Sequence, residues 1–281
     1  MKICVHQIYF RPEQKLKLDS DFVPFDNAGK LYPHNFEYAV FFEIYKSINW
    51  NLADLVGTVS WKFKSKTGLK GSEFIAFIEA NPGYDVYFVN PFPELAIYPS
   101  VWEQGRVYHQ DLVNISKTLF AQLGYSESLL GAETPPCLAA YCNYWVGNKK
   151  FWDEYISFLT PLWTALERNN LNLPQALGAS ADPNINAPYA PFIFERLFST
   201  FLASRKFKTI SMPIKREHRK VYRYLEPLWN AVQRVSAAQS HREVTKFDAV
   251  LVWGYVKVSF IRSYKVPLIL KWLGFSMRGR D

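Results

Sequence analysis

Within the run PYAPFIFERLFSTFL, residues 188–202, an adjacent glutamate and arginine, Glu195 and Arg196, interrupt an otherwise aromatic and aliphatic stretch. A buried charge without a partner is expensive, and a whole domain has only about 5–15 kcal/mol to spare. The pair therefore either faces water or has partners and a task. The task open to a carboxylate held beside a cation is general-base proton transfer; the plainer reading is a structural pair tying a helix to its sheet. The preceding stretch, 169–191, is rich in Asn, Pro and Ala without a period, and long loops inside compact domains are commonly functional or mobile. A helix starting near Phe192 would put Glu195 in its first turn.

The commonest nucleotide and hydrolase signatures are absent. There is no G-x-x-x-x-G-K-[ST] loop, G-x-G-x-x-G fingerprint, H-E-x-x-H helix or G-x-S-x-G elbow. The strand end that would carry a D-x-D pair reads Asp85-Val-Tyr-Phe-Val-Asn90. Three cysteines, Cys4, Cys137 and Cys142, make neither an even framework nor a C-x-x-C pair, which fits a reducing, cytoplasmic setting. The start, MKICVHQIYF, has too short an apolar run for a signal-peptide core, and the apolar stretch 249–270 is broken by Lys257, Arg262 and Lys265.

The 281 residues are 49% apolar and 17% aromatic, enough for a full core, with 17 prolines to bend the chain. Net charge is +8, unevenly spread: residues 201–281 hold 17 Lys and Arg against five Asp and Glu, whereas the first 200 hold 16 against 20. That asymmetry points to an anionic partner for the tail.

The elements that must position these side chains follow from periodicity. Residues 2–9 read as a short buried strand, followed by a polar loop from Arg11 to Pro33. Phe36, Val40 and Ile44 mark one helix face, with Asn35 as its cap. DLVGTVSWKF is a second strand, GSEFIAFIEANPG a helix with its stop, and DVYFVNPFP a third strand ended by Pro91. This alternation predicts an α/β fold: a mostly parallel, Rossmann-type sheet flanked by helices, with its ligand site at the carboxyl ends of the strands. Residues 100–123 read as a helix, CLAAYCNYWVG as a strand, 149–167 as an amphipathic helix interrupted at Pro161, and 222–235 as a further helix.

The order ICVHQ, NFEYAVFFEIYKSI…ADLVGTVSWKF, CNYWVGNKKFWDEYISFLTPLW, FERLFSTFL resembles a family of bacterial glycosyltransferases of compact GT-A-type fold, catalogued as domain of unknown function 4422 and found in capsule and O-antigen gene clusters. The resemblance covers roughly residues 3–203, which makes 1–210 the transferase domain and 211–281 a basic, aromatic extension. It sets His6 at the family's early His, Glu37 at its helix glutamate, Lys62 at the first of two arginines, Asn143 at its Asn, and Glu195–Arg196 at its Glu-Arg. Gln7 stands where the family has Lys, and VSWKF replaces a His-Tyr-Arg-Arg-Tyr-Phe run, so one cation of the pattern is missing.

What the resemblance implies is transfer of a sugar from a nucleotide donor, a uridine diphosphate sugar such as a galactose donor, to a lipid-linked glycan. Such chemistry needs a pocket for base and ribose, positive charge or a metal for the leaving diphosphate, and, for inversion, a carboxylate base. The donor set is then His6, Gln7, Glu37, Lys62 with Lys64, Asn90 and Arg196. Asn143 and Trp145 meet the acceptor, and Glu195 takes its proton. Asp85 and Asn90 are the weak candidates for a divalent Mg or Mn; Asp85 also reads as a turn cap, and Glu103 and His109 as a solvated helix face. The tail, with Trp229, Trp253, Tyr255, Phe260, Tyr264 and Trp272 among its cations, suits peripheral contact with the anionic inner face of the cell membrane. It also suits ordinary packing with a basic outer face. Two competing readings remain: a single-strand nucleic-acid-binding protein using the tail, and a catalytically inactive transferase-like module.

Overall fold

The computed structural model describes residues 1–28, 36–167, 178, 180–182, 187–215 and 226–264. In chain order the elements are β1 (Ile3–Tyr9), β2 (Val23–Asp26), α1 (Phe36–Ser47), β3 (Leu55–Ser60), α2 (Phe63–Thr67), α3 (Gly71–Ala80), β4 (Val86–Phe88), α4 (Val101–Tyr108), α5 (Leu112–Leu123), α6 (Ser128–Gly131), β5 (Trp145–Gly147), α7 (Lys149–Glu167), β6 (Ser180–Asp182), β7 (Ala187–Pro188), α8 (Tyr189–Ala203), β8 (Thr209–Ser211), α9 (Glu226–Ala237) and α10 (Lys246–Tyr264). Short 3-10 turns at Pro12–Lys17, Pro93–Ile97, Pro136–Leu138 and His241–Glu243 join several of them.

Six strands form one sheet in the order β2-β1-β3-β5-β4-β8. The pairs β1–β2, β1–β3 and β4–β8 are parallel, and only β5 runs against its neighbours β3 and β4. This is a mixed α/β architecture, a mostly parallel, Rossmann-type sheet flanked by helices. Every residue of β3, β4 and β5 is buried, as expected for strands covered on both faces.

One face carries Val40, Phe41, Trp102, Trp152, Tyr155, Phe198 and Phe201, supplied by α1, α4, α7 and α8. The other carries Val5, Phe63, Phe74, Tyr87 and Tyr144, together with Trp229, Val232, Val235 and Val252 from α9 and α10. The basic C-terminal segment thus supplies part of the second face's core.

Several expected elements are shorter or divided. Residues 137–147 contribute only Trp145–Gly147 to the sheet, and antiparallel. The expected helix 100–123 is two helices, α4 capped by Ser100, whose side chain accepts from the Glu103 amide at 3.1 Å, and α5, with the break at His109–Asp111. α8 begins at Tyr189 rather than near Phe192. Asn35, the expected cap of α1, lies outside the described residues.

β5 is admitted by Gly57: a Cβ there would sit 2.1 Å from the Trp145 carbonyl oxygen and 2.5 Å from Val146 Cα. Because backbone cannot move aside as a side-chain tip can, Gly57→Ala is expected to lower stability by roughly 3 kcal/mol or more. Chemical denaturation of the purified variant against the parent measures this directly, and an unchanged midpoint would contradict the close strand contact.

Candidate active site

β1, β3 and β4 all run the same way, so their carboxyl ends share one edge of the sheet. Because β5 is antiparallel, it brings the residues just before it to that same edge. Val89 N donates to Tyr144 O at 2.9 Å, Ser60 Oγ and Tyr144 Oη lie 2.9 Å apart, and Thr58 Oγ1 donates to Asn143 O at 3.4 Å. Extending the register past Phe88–Trp145 sets Asn90 beside Asn143. Trp61–Lys62 after β3, Cys142–Asn143 before β5 and Asn90 after β4 therefore stand along one edge.

A cleft of about 680 Å³ opens beyond β3, lined by Trp61 with Lys17, Lys62, Lys64 and Lys70, and by Asp19 and Asp21. The ammonium groups of Lys17 and Lys62 lie 5.2 and 5.1 Å from the Trp61 ring centroid, within cation–π range. The two carboxylates are committed to the start of α3: Asp19 accepts from the Gly71 amide at 2.9 Å and Asp21 from the Ser72 amide at 3.0 Å. They satisfy amides that a helix N-terminus otherwise leaves without partners. Burial pushes the Asp19 carboxyl up, but hydrogen bonds from Gly71 and Asp21, and the charge of Lys64, outweigh it and hold its pKa below the usual carboxylate range. Four lysines against two carboxylates leave the cleft net positive, a field suited to an anion.

Gln7 does not reach this space. Fully buried, it donates from Nε2 to Ser60 O at 3.2 Å and accepts the Asp19 amide at 2.7 Å. The expected donor contact is instead a brace beneath the cleft, tying the loop before β2 to the end of β3. His6, on the opposite face of β1, is half-buried, edge-on to Phe25 at 6.0 Å, with Nε2 3.5 Å from Cys4 Sγ. Its Nδ1 is buried without a hydrogen bond among the described residues, and burial lowers its pKa. Glu37 lies in α1, but its side chain is outside the described residues.

Trp145, expected at the acceptor, is wholly enclosed: it stacks on Phe198 at 5.7 Å and meets Phe41, Phe151 and Tyr155 edge-on. A ring with no exposed surface makes core rather than contact with a ligand. Asp85 sits at the amino end of β4, opposite to Asn90, accepting from Asn148 Nδ2 at 2.8 Å and the Lys208 amide at 2.9 Å. Its carboxylate thus ties the segments before α7 and β8 to β4 rather than capping the turn at Pro82–Gly83, and it and Asn90 cannot share a metal across the length of a strand. Among the described residues no group of three His, Cys, Asp or Glu side chains is placed to hold a metal ion. Apart from Asp19 and Asp21, which are bonded to the first amides of α3, the residues at the carboxyl edge offer amides and ammonium groups.

Arg196, expected at the phosphate, is 2% exposed. Its Nε donates to Val101 O at 2.8 Å, Nη1 to Phe192 O at 2.6 Å, and Nη2 to Gln104 Oε1. Gly105 leaves it room, since a Cβ there would lie 2.5 Å from Arg196 Nε. The guanidinium is therefore an internal tie between α8 and α4. Glu195, in the second turn of α8, is half-buried and makes no hydrogen bond or ion pair with the described residues. It lies close enough to Tyr141, two residues before Asn143, for its charge to act on that buried phenol. Glu103 is on a solvated face paired with Arg106 at 3.0 Å, and His109 is buried, stacked on Phe192 at 3.9 Å.

Sequence reasoning did not single out Lys17, Lys70, Lys66 or Cys142 as site residues. Lys66 Nζ is 3.0 Å from Cys142 Sγ, and Cys142 has φ of 123°, a strained value for any residue but glycine. Neither feature has a signal in the local sequence; only the meeting of α2 with the segment before β5 creates it.

No protein-family model matches the chain, and no curated protein matches it. Among solved structures the chain is similar to a WbbM bifunctional glycosyltransferase in its apo form, at 14% identity and a TM-score of 0.41, over 76% of this chain and 46% of that one. The chain thus spans less than half the length of that protein.

Replacing Arg196 by Met would leave Gln104 Oε1 and the Val101 carbonyl buried without their donor. The expected loss is about 3 kcal/mol of stability, read as a lower denaturation midpoint, with inorganic pyrophosphate binding in the lysine cleft unchanged. Selective loss of pyrophosphate binding at full stability would return Arg196 to the phosphate.

Proposed function

We propose that the chain is a glycosyltransferase whose nucleotide-sugar donor is held by its diphosphate in the lysine cleft. The observation that carries the reading is the convergence of Lys17, Lys62, Lys64 and Lys70 around Trp61 at the carboxyl end of β3. An aromatic face beside clustered ammonium groups is the chemistry that recognises a base or ribose joined to phosphates. A uridine diphosphate sugar is the first donor to test. The departing diphosphate takes the electron pair of the anomeric C–O bond, and the lysines neutralise its growing charge. No step is assigned to a metal.

The sugar would lie along the row toward Asn143. Glu195 would take the acceptor hydroxyl's proton as that oxygen attacks the anomeric carbon, inverting it. Its lack of a competing hydrogen bond among the described residues leaves its carboxylate available for that work. The acceptor in this reading is a lipid-linked glycan of bacterial surface-polysaccharide assembly. The nucleic-acid alternative draws on residues 201–281, whereas every lysine of the cleft comes from the first 70.

Calorimetry with uridine diphosphate and with inorganic pyrophosphate tests the donor half. Lys62→Ala should weaken both by about tenfold, since one charge-assisted hydrogen bond contributes roughly 1.5 kcal/mol or more. Glu195→Gln should abolish transfer while leaving both affinities intact. Binding of neither ligand by the parent protein would end the reading, and an active Glu195→Gln enzyme would remove that residue from the base role.

A membrane surface is the expected setting. No helix among the described residues is long and apolar enough to cross a bilayer. α10 presents Phe247 and Val250, 68% and 70% exposed and one turn apart, beside Lys246 and near Arg242. Apolar tips beside Lys246 and Arg242, with Glu243 as the nearby exposed acid, match an interfacial contact with anionic lipid. Sedimentation with vesicles containing phosphatidylglycerol should carry the protein down at low salt, less so at high salt. The double change Phe247→Asp and Val250→Asp should reduce it severalfold; full retention would leave α10 without that role.

A further inference from the structure

A second cavity, of about 600 Å³, lies on the far side of the same sheet edge and shares no lining residue with the lysine cleft. It runs beside the edge strand β8, between that strand, the turn at Pro136–Leu138 and the face of α9. Its lining includes Tyr84 before β4, Asn90 after it, Ser211 at the end of β8, and Gln233, Arg234 and Gln239 from α9 and the loop that follows. Tyr84 and Asn90 are six residues apart on a largely extended segment, up to about 20 Å. The cavity is therefore a groove, longer than one sugar ring.

Its chemistry differs in kind from that of the cleft. Arg234 is clamped by Asp248, from Nη2 at 2.7 Å and Nε at 3.1 Å, so its charge is already matched. The other polar groups include the amides and hydroxyls of Asn90, Ser211, Gln233 and Gln239, the last accepting from the Cys137 thiol at 3.4 Å; they are set among the apolar Pro93, Pro136, Ile210, Met212 and Ile214, with the phenol ring of Tyr84. Groups that both donate and accept, set beside an aromatic face, match the vicinal hydroxyls and C–H faces of an uncharged saccharide. They offer no excess charge for a phosphate.

Asn90 points to the occupant independently. It is 7% exposed, and its Oδ1 is taken by the Phe92 amide at 2.9 Å, which fixes the orientation of its side-chain amide. Its Nδ2 is left buried with no partner among the described residues. An unmet buried donor costs on the order of 1–3 kcal/mol, and such a group is normally completed by a partner. Here the donor stands at the rim shared by the groove and the row of Asn143.

We infer that this groove binds a neutral glycan through Asn90, Ser211, Gln233 and Gln239. On the transferase reading, on which this role rests, the glycan is the acceptor. Three strand spacings, roughly 14 Å, separate β3 from β8, so donor and acceptor would approach the middle of the edge from opposite sides and meet near Asn143.

The test uses the intact protein and a panel of neutral tri- and tetrasaccharides of glucose, galactose, mannose, rhamnose and N-acetylglucosamine, with binding read by saturation-transfer NMR. Inorganic pyrophosphate serves as the charged control. Asn90→Asp keeps the acceptor for Phe92 and removes the donor. Gln233→Ala with Gln239→Ala changes half-buried and exposed groups that carry no core packing, and serves if Asn90→Asp fails to fold. Each variant should weaken glycan binding about tenfold and raise the acceptor KM similarly, with the sugar-nucleotide KM and pyrophosphate affinity unchanged. No binding by any glycan, binding untouched in both variants, or binding lost on Lys62→Ala instead would overturn the inference. Continued transfer with an unaltered acceptor KM in both variants would refute the groove and leave the enzyme standing. Glycan binding lost in the variants of a protein that takes no sugar nucleotide would refute the enzyme and leave the groove.

Discussion

The structure depends on β5. Three residues, Trp145–Gly147, run antiparallel between β3 and β4, and among the described strands they alone join the β2-β1-β3 half of the sheet to the β4-β8 half. So short a strand holds because its surroundings are exacting. Gly57 lets its backbone approach, the Trp145 ring is locked among aromatic rings, and Trp152 Nε1 donates to Val56 O at 2.8 Å from the helix that follows. Its direction matters as much as its position. A parallel strand would deliver its carboxyl end to the edge; an antiparallel one delivers the segment that enters it, so Tyr141–Cys142–Asn143 stands between the ends of β3 and β4.

From that joint the chemistry of the two sides follows. On the β3 side, lysines arrive from the turn before β2, from α2 and from the start of α3, and outnumber the two acids, Asp19 and Asp21, that bind the α3 amides. Gln7 fixes the relation between those pieces from beneath. On the β8 side, the one strong cation lining the groove is matched by Asp248, and the remaining lining is apolar side chains with a few neutral amides and hydroxyls. The two cavities thus differ in charge, the contrast on which the proposed pairing of an anionic donor with a neutral acceptor rests. The strain at Cys142 falls at the boundary, where over-determined packing can sustain it.

Much of this frame is legible in the sequence, for identifiable reasons. β1, β3, β4 and the flanking helices carry periods and turn residues that local physics dictates. Lys62 is visible as a cation at a strand end, whereas its neighbour Trp61 joins the site only through the cleft that closes around it. The direction of β5 is not legible, because a buried strand has the same composition whichever way it runs. Asn90 is legible as the carboxyl end of an apolar strand, whereas the partners of Asp85 at the other end, Asn148 and the Lys208 amide, come from distant segments that no local pattern announces. Gln7 reads as the loss of a lysine from a binding motif, whereas the fold uses its amide to bridge two backbones, a role no local pattern announces. Lys17 and Lys70 become site residues only by long-range closure.

Glu195 and Arg196 show the limit most plainly. Positions three and four away from either are Pro, Phe, Ile, Ser or Thr, so periodicity puts both in the core and cannot separate them. Successive residues on a helix point about 100° apart, and the structure resolves the pair by turning Arg196 inward. There Gln104 and the Val101 carbonyl compensate the buried charge, and Glu195 is left at a half-buried rim beside Tyr141. The two are not acid and partner in one ion pair. Two of the arginine's bonds, to Val101 O and Gln104 Oε1, tie α8 to α4, and the third, to Phe192 O, stays within α8; together they restrain where the neighbouring carboxylate can point. For the base role proposed for Glu195, a buried cation one residue away would supply the positional restraint that proton abstraction needs without drawing on the carboxylate itself.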